Sequence, residues 1–202
     1  WCPIGYQRLT QAIDLLGSDI DVQVEWHPFL LNPDVPPQGR PILEHLMDKY
    51  GKSEADIRAN QQMIVDAAHD LGLNFERATE RRSWNTFDVH RVLAWAKEQG
   101  RDAEFNFALF DAYFGRAENP TDPQLLMDTA ASLGLDANEV GAILDSNRYT
   151  EHVEAELDHW RQAGISSVPS FVINNRYLLA GAQEPKMLAD ALRQIAAETA
   201  AA

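Results

Sequence analysis

The chain of 202 residues has one cysteine, Cys2. An internal disulfide framework and a multi-cysteine metal centre are both excluded within these residues. Long apolar runs are also missing. No stretch approaches the length of a membrane span, which points to a protein with no membrane partner. Positive charge is scarce, with 17 Lys and Arg against 31 Asp and Glu, a formal net charge of −14. Phosphate backbones need clustered cations, so nucleic acid is excluded as a partner, and the charge reads most simply as a solvated surface. The six histidines show no ligand-like spacing, and no metal is expected. No signal peptide is visible. Apolar residues are plentiful, at 45% with five tryptophans, enough for a sizeable core.

Local patterns divide the chain. Pro3 suits a first helical turn, and Ile4, Leu9, Ile13 and Leu16 recur at helical spacing up to Gly17. Ile20, Val22, Val24 and Trp26 alternate with polar residues, which predicts a strand stopped by His27-Pro28. Asn32 to Arg40 carries three prolines and a glycine and reads as a loop. From Pro41 to Tyr149 the period is helical throughout. Ser53, Asn85 or Thr86, and Asp136 are the expected caps there. The segment Ala103 to Phe114 is read as one helix with a mostly buried aromatic side, leaving Phe107 or Phe114 as candidates to face a cleft. After Tyr149 come a helix with a solvated acidic face, the strand Phe171–Ile173, an Asn174-Asn175 turn, a return strand ending before Gly181, and a last helix opened by Pro185. The expected fold class is α/β. Residues 1–40 and 150–202 would form one discontinuous domain, interrupted by an all-helical insertion at 41–149.

Two segments carry chemistry. Trp1-Cys2-Pro3-Ile4-Gly5 puts the thiol on the first turn of a helix. Unpaired N–H groups and the helix dipole lower a thiol's pKa there, which makes Cys2 a candidate reactive group. The plain alternative is a small buried apolar residue. Far downstream, Val168-Pro169 directly precedes an apolar strand. A cis bond there would form a rigid bend, leave the Val168 backbone free to pair with an extended substrate, and keep an N–H out of the site at position 169. The plain alternative is a trans proline at a strand entrance. His27, at the expected strand end, is either an edge of the site or a solvated histidine.

These residues resemble a known family. Trp1-Cys2-Pro3-Ile4-Gly5 is similar to the end of the Cys-Pro-Trp-Cys-x-Ile-Gly motif of DsbA-like thiol–disulfide oxidoreductases of the FrnE branch. Trp26-His27-Pro28-Phe29-Leu30-Leu31-Asn32-Pro33 resembles that branch's Trp-x-Pro-Phe-x-Leu-Asn-Pro. Gly164-Ile165 with Val168-Pro169-Ser170-Phe171-Val172-Ile173 resembles its cis-proline loop, and Ala180-Gly181-Ala182-Gln183 its Ser-Gly-Ala-Gln turn. The resemblance implies a thioredoxin-like fold of the DsbA family interrupted by a helical insertion. It implies dithiol–disulfide exchange with thiols and disulfides of proteins or small molecules, in the cytoplasm.

In the family's register Cys2 is the second, resolving cysteine, while Trp1, Val168 and Pro169 contact substrate. The first cysteine would stand two positions before Trp1, and the first strand of the fold would also precede Trp1. A second register makes Cys2 the nucleophile of a monothiol site. Related 2-hydroxychromene-2-carboxylate isomerases and kappa-class glutathione transferases carry serine at the first position and use glutathione. A glutathione-dependent isomerase or transferase is therefore one alternative, with glutathione as co-substrate and no other cofactor. A non-catalytic binding or chaperone module is another.

Overall fold

Helix α1 (Cys2–Leu16) and helix α9 (Pro185–Ala200) pack against each other in a computed structural model that describes residues 1–200. Their shared core is Leu9, Ala12, Leu16, Leu188, Ala189 and Leu192. Strands β3 (Ser170–Ile173) and β4 (Tyr177–Ala180) form an antiparallel hairpin with Phe171 opposite Leu179 and Ile173 opposite Tyr177. Phe171, Ile173 and Leu179 pack onto the helix pair, following the two-residue alternation of a strand. Asn174 and Asn175 take left-handed φ of 51° and 53° in the three-residue loop 174–176, closed by the Arg176 N–H donating to the Ile173 carbonyl at 3.1 Å. These elements belong to a first compact unit, Trp1–Glu25 with Ile165–Ala202.

The second unit is Trp26–Gly164. It holds α2 (Ile42–Tyr50), α3 (Glu54–His69), α4 (Phe87–Glu98), α5 (Asp102–Phe110), α6 (Pro123–Ser132), α7 (Ala137–Leu144) and α8 (Thr150–Gln162). Val92, Trp95 and Ala96 of α4, Phe105 and Leu109 of α5, Leu126 and Ala130 of α6, and Val140 and Ile143 of α7 form its core. The caps sit where short-range chemistry places them. Ser53 accepts the Asp56 N–H, Asp122 accepts those of Gln124 and Leu125, and Asp136 accepts that of Asn138. Arg91 is buried in α4, and its guanidinium donates to the carbonyls of Ile143, Ser146 and Arg148 and pairs with Asp88. It thereby satisfies carbonyls left over where α7 ends.

Several expectations are corrected. Residues Ile20 to Trp26 form no strand among the described residues. Ile20 and Val22 do turn onto the α1–α9 core, so the alternation marks a buried side of extended backbone and not a ladder. The units divide after Glu25 and before Ile165, whereas the expected borders were 40/41 and 149/150. Trp26 packs edge-on to Phe107 at 6.3 Å, His27 bonds Glu156 at 2.8 Å, and α8 packs against α4, which ties both border segments to the helices. The expected 150–202 segment also includes residues 201–202, which lie outside the described residues.

The helical stretch contains a short strand pair, β1 (Arg40–Pro41) with β2 (Arg82–Ser83). The helix expected over 103–114 ends as α5 at Phe110 and continues as a π-helical turn, Asp111–Gly115. Asn74 bonds Asp111 at 2.8 Å, and its side-chain amide lies where a Cβ on Gly115 would stand, so a larger residue there would displace that amide. Phe107 and Phe110 cluster with Trp26, and Phe114 stacks on Phe75 at 4.5 Å. No helix of the described residues is long and apolar enough to cross a membrane.

One buried group makes stability pH-dependent. Burial pushes His90 of α4 down to about 4, against a weaker opposing bond to the Phe29 backbone. The neutral form is favoured in the folded state, so its contribution is complete above the unfolded value of about 6.5 and is lost as pH falls toward 4. Urea titrations at stepped pH should show a loss of up to about 3 kcal/mol over that window. The loss should shrink in His90→Gln.

Candidate functional site at the amino end of helix α1

Trp1 stands at the N-cap of α1, and Cys2 and Pro3 open the helix. Pro3 needs no backbone partner in the first turn, and its fixed φ suits the helix. The Gly5 N–H donates to the Trp1 carbonyl at 2.8 Å, closing that turn. Pro3, Ile4 and Gly5 are buried, while Cys2 is half-buried and Trp1 is 38% exposed. A thiol at the rim of a buried turn therefore lies beside an accessible indole.

The Val168–Pro169 peptide is cis. Pro169 is buried, and it meets α1 at Gly5. A Cβ on Gly5 would stand 2.7 Å from Pro169 Cγ and 3.2 Å from its Cβ, with the Phe171 ring at 3.4 Å. Only a residue without a side chain allows this approach. Glycine in a helix costs about 1 kcal/mol relative to alanine, so the position is held by tertiary contact and not by helix preference.

Beyond Pro169 the backbone is committed. Its carbonyl accepts the Gly181 N–H at 2.8 Å, and the ladder begins with Ser170 opposite Ala180. Ser170 Oγ also donates to the Ser167 carbonyl at 2.8 Å, tightening the bend. Before Pro169 it is open: among the described residues, no backbone hydrogen bond engages the N–H or carbonyl of Val168.

The electrostatics correct the expectation for Cys2. Burial pushes the thiol pKa up, and this outweighs the helix-end backbone N–H that pulls it down. The balance favours the neutral thiol over the thiolate. The helix terminus was expected to dominate, but desolvation is the larger effect.

Cys2, Trp1, Val168 and Pro169 all belong to the first unit. His27 belongs to the second, where its Nδ1 bonds Glu156 and its ring lies 4.7 Å from Trp160. Gly5 has a part that sequence reasoning did not assign. The available signal was a glycine within the first turn of a strong helical pattern. Among the described residues no group of acidic, histidine or cysteine side chains is arranged to hold a metal. A concavity of about 400 Å³ in the second unit is lined by Trp95, Glu98, Glu139, Arg148 and Tyr149. Its Tyr149 hydroxyl is bonded to Glu98 and its Arg148 to Glu139, so those polar groups already have partners.

Two outcomes follow. Gly5→Ala should push the Pro169 loop off α1 and lower stability by about 1 kcal/mol despite the better helix former, as read by urea unfolding. Equal or higher stability would mean that the contact is not tight. Alkylation of Cys2 by iodoacetamide should rise with a midpoint above the ordinary thiol value of about 8.5 and return to it in urea. The neutral thiol's contribution to stability is present below that unfolded value and is lost as pH rises through the higher folded one.

Known proteins resemble this chain in sequence and fold. Residues 1–193 match the DSBA-like thioredoxin domain. The crystal structure of a probable DsbA oxidoreductase from Streptomyces coelicolor is 32% identical, with a TM-score of 0.87, over 96% of this chain and 84% of that one. An uncharacterized protein of Bacillus subtilis, YwbO, is 27% identical over 87% of this chain and 82% of its own. A 2-hydroxychromene-2-carboxylate isomerase shares the fold at 18% identity and a TM-score of 0.67, over 98% of this chain and 93% of that one. This chain belongs to the DsbA-like thioredoxin family.

Proposed function

We propose that the protein is a thiol–disulfide oxidoreductase of the FrnE type in which Cys2 is the resolving thiol. The observation that carries this reading is one helix end that holds a thiol at Cys2 and, within the same turn, seats Pro169 against Gly5. Membership in a family with an oxidoreductase relative at 32% identity supports it.

The chemistry has two exchanges. A first thiolate, placed by the family's register two positions before Trp1, attacks one sulfur of a substrate disulfide. It forms a mixed disulfide and releases one substrate thiol. The Cys2 thiol then gives up its proton, and its sulfur attacks the protein sulfur of the mixed disulfide. The second substrate sulfur leaves and takes up a proton. The substrate gains two electrons and the protein holds a disulfide; run backwards, the same steps oxidise a dithiol.

A raised pKa suits this second role. A resolving thiol is generated beside its target, so high local concentration offsets a low thiolate fraction. It would serve an attacking thiol poorly. The unengaged backbone of Val168 offers one N–H and one carbonyl to an extended substrate, as an added strand would use them. The exposed Trp1 indole offers an apolar contact beside the exchanging sulfurs. Proteins or small molecules carrying thiols and disulfides are the partners, with glutathione as a candidate co-substrate.

The decisive measurement is trapping. In the full-length protein, Cys2→Ser should accumulate a mixed disulfide with a disulfide-bonded peptide, seen by mass spectrometry, and slow turnover by about a hundredfold. If the change instead abolishes the mixed disulfide, Cys2 is itself the attacking group. If it spares glutathione-dependent turnover of a small carbon substrate, the isomerase or transferase reading takes its place.

A further inference from the structure

Arg8 lies one helical turn beyond Gly5 on α1, so the two share a face of the helix. Its side chain is only 19% exposed. One guanidinium nitrogen donates to the Ala182 carbonyl at 2.6 Å, and the other meets Glu184 Oε1 at 2.9 Å. Arginine's planar fork engages two such acceptors through separate nitrogens in a fixed geometry, which lysine's single ammonium does not offer.

The turn it grips is already tightly knit. The Gln183 N–H donates to the Gly181 carbonyl at 2.9 Å, and the Gln183 side-chain amide donates to the Ala180 carbonyl at 2.7 Å. Gly181 takes φ 83°, a value that favours glycine. From that position its N–H reaches the Pro169 carbonyl at 2.8 Å. Helix α1 thus holds Pro169 twice. One hold is direct, at Gly5. The other runs from Arg8 through Ala182 and Gly181 to the Pro169 carbonyl.

We propose that Arg8 is a positioning residue that sets the Val168–Pro169 backbone at its working height over the Cys2 turn, so that an extended peptide can pair with Val168. The role rests on the exchange chemistry proposed above. Arg8 touches neither a reacting sulfur nor the substrate. Its loss should therefore weaken substrates that need the Val168 backbone and spare those that need only the thiols. Glu184 is 65% exposed, so the surface ion pair contributes little, and the bond to the Ala182 carbonyl is the effective part.

The test compares two disulfides in the full-length protein. One is a linear peptide bearing an intermolecular disulfide; the other is hydroxyethyl disulfide, which has no peptide backbone. Arg8→Met should raise KM for the peptide about tenfold while changing kcat/KM for hydroxyethyl disulfide by less than about twofold. Arg8→Lys, which keeps the charge and one reach, should restore part of the difference and stands in if Arg8→Met fails to fold. Glu184→Gln should leave both substrates within about twofold of the wild type.

Hydrogen exchange gives a readout independent of turnover. The Gly181 amide should exchange faster in Arg8→Met, while that of Ile173 in the same hairpin should not change. The proposal is overturned if Arg8→Met slows both substrates equally, or neither. A wild type that turns over neither disulfide overturns the exchange reading and the substrate role of Arg8 with it. Faster Gly181 exchange in that case would show that the mechanical link exists without the chemistry.

Discussion

Pro169 lies against the backbone of Gly5, and the geometry of the thiol site depends on that contact. A helix start supplies a thiol and unpaired N–H groups, but nothing to align a substrate. A proline bend supplies a rigid, half-open strand end, but nothing reactive. The absence of a side chain at position 5 lets one be built on the other. The surrounding bonds serve this contact. The Ser170 hydroxyl tightens the bend, and the Gly181 N–H fixes the Pro169 carbonyl. The α1–α9 core of Leu9, Leu16, Leu188 and Leu192 keeps the helix from shifting beneath it.

Cys2 shows two physical effects opposed at one atom. The helix end favours a thiolate, and burial favours a thiol. Burial is the stronger here, in a first turn whose Pro3, Ile4 and Gly5 are buried. In the exchange proposed above, such a thiol would stay uncharged until a neighbouring disulfide gives it something to attack. A helix dipole without desolvation would have left a thiolate open to whatever electrophile arrived first.

Short-range chemistry was legible in the residues. Ser53 and Asp136 cap the helices that their sequences announce, and Asn174-Asn175 turns the hairpin that its strands require. The pairing of the two chain ends was legible through resemblance, since Cys2 and Pro169 carry family patterns. Properties set by distant neighbours were not. Alternation from Ile20 to Trp26 records which side chains turn inward, but a ladder needs a partner strand, and none pairs with it among the described residues. The π-helical turn at Asp111–Gly115 meets Asn74, 37 positions away from Asp111, a contact that no local pattern reveals. The direction of the Cys2 shift depends on desolvation, a tertiary quantity. The tie of Trp26 and His27 to the helices arises from Phe107 and Glu156, so unit borders read from periodicity fall elsewhere.

Arg8 and its acceptor Ala182 stand 174 positions apart, and the two parts of the first unit are separated by the whole of the second. This has a consequence for biosynthesis. A ribosome makes α1 long before α9, so the helix bearing Cys2 leaves the exit tunnel well before its packing surface exists. The continuous second unit can gather its core in the meantime. Over that interval burial cannot yet restrain the thiol, and a nascent Cys2 should titrate like an ordinary cysteine. The reserve of the finished site is thus acquired only once the hairpin and α9 have been made and close over α1.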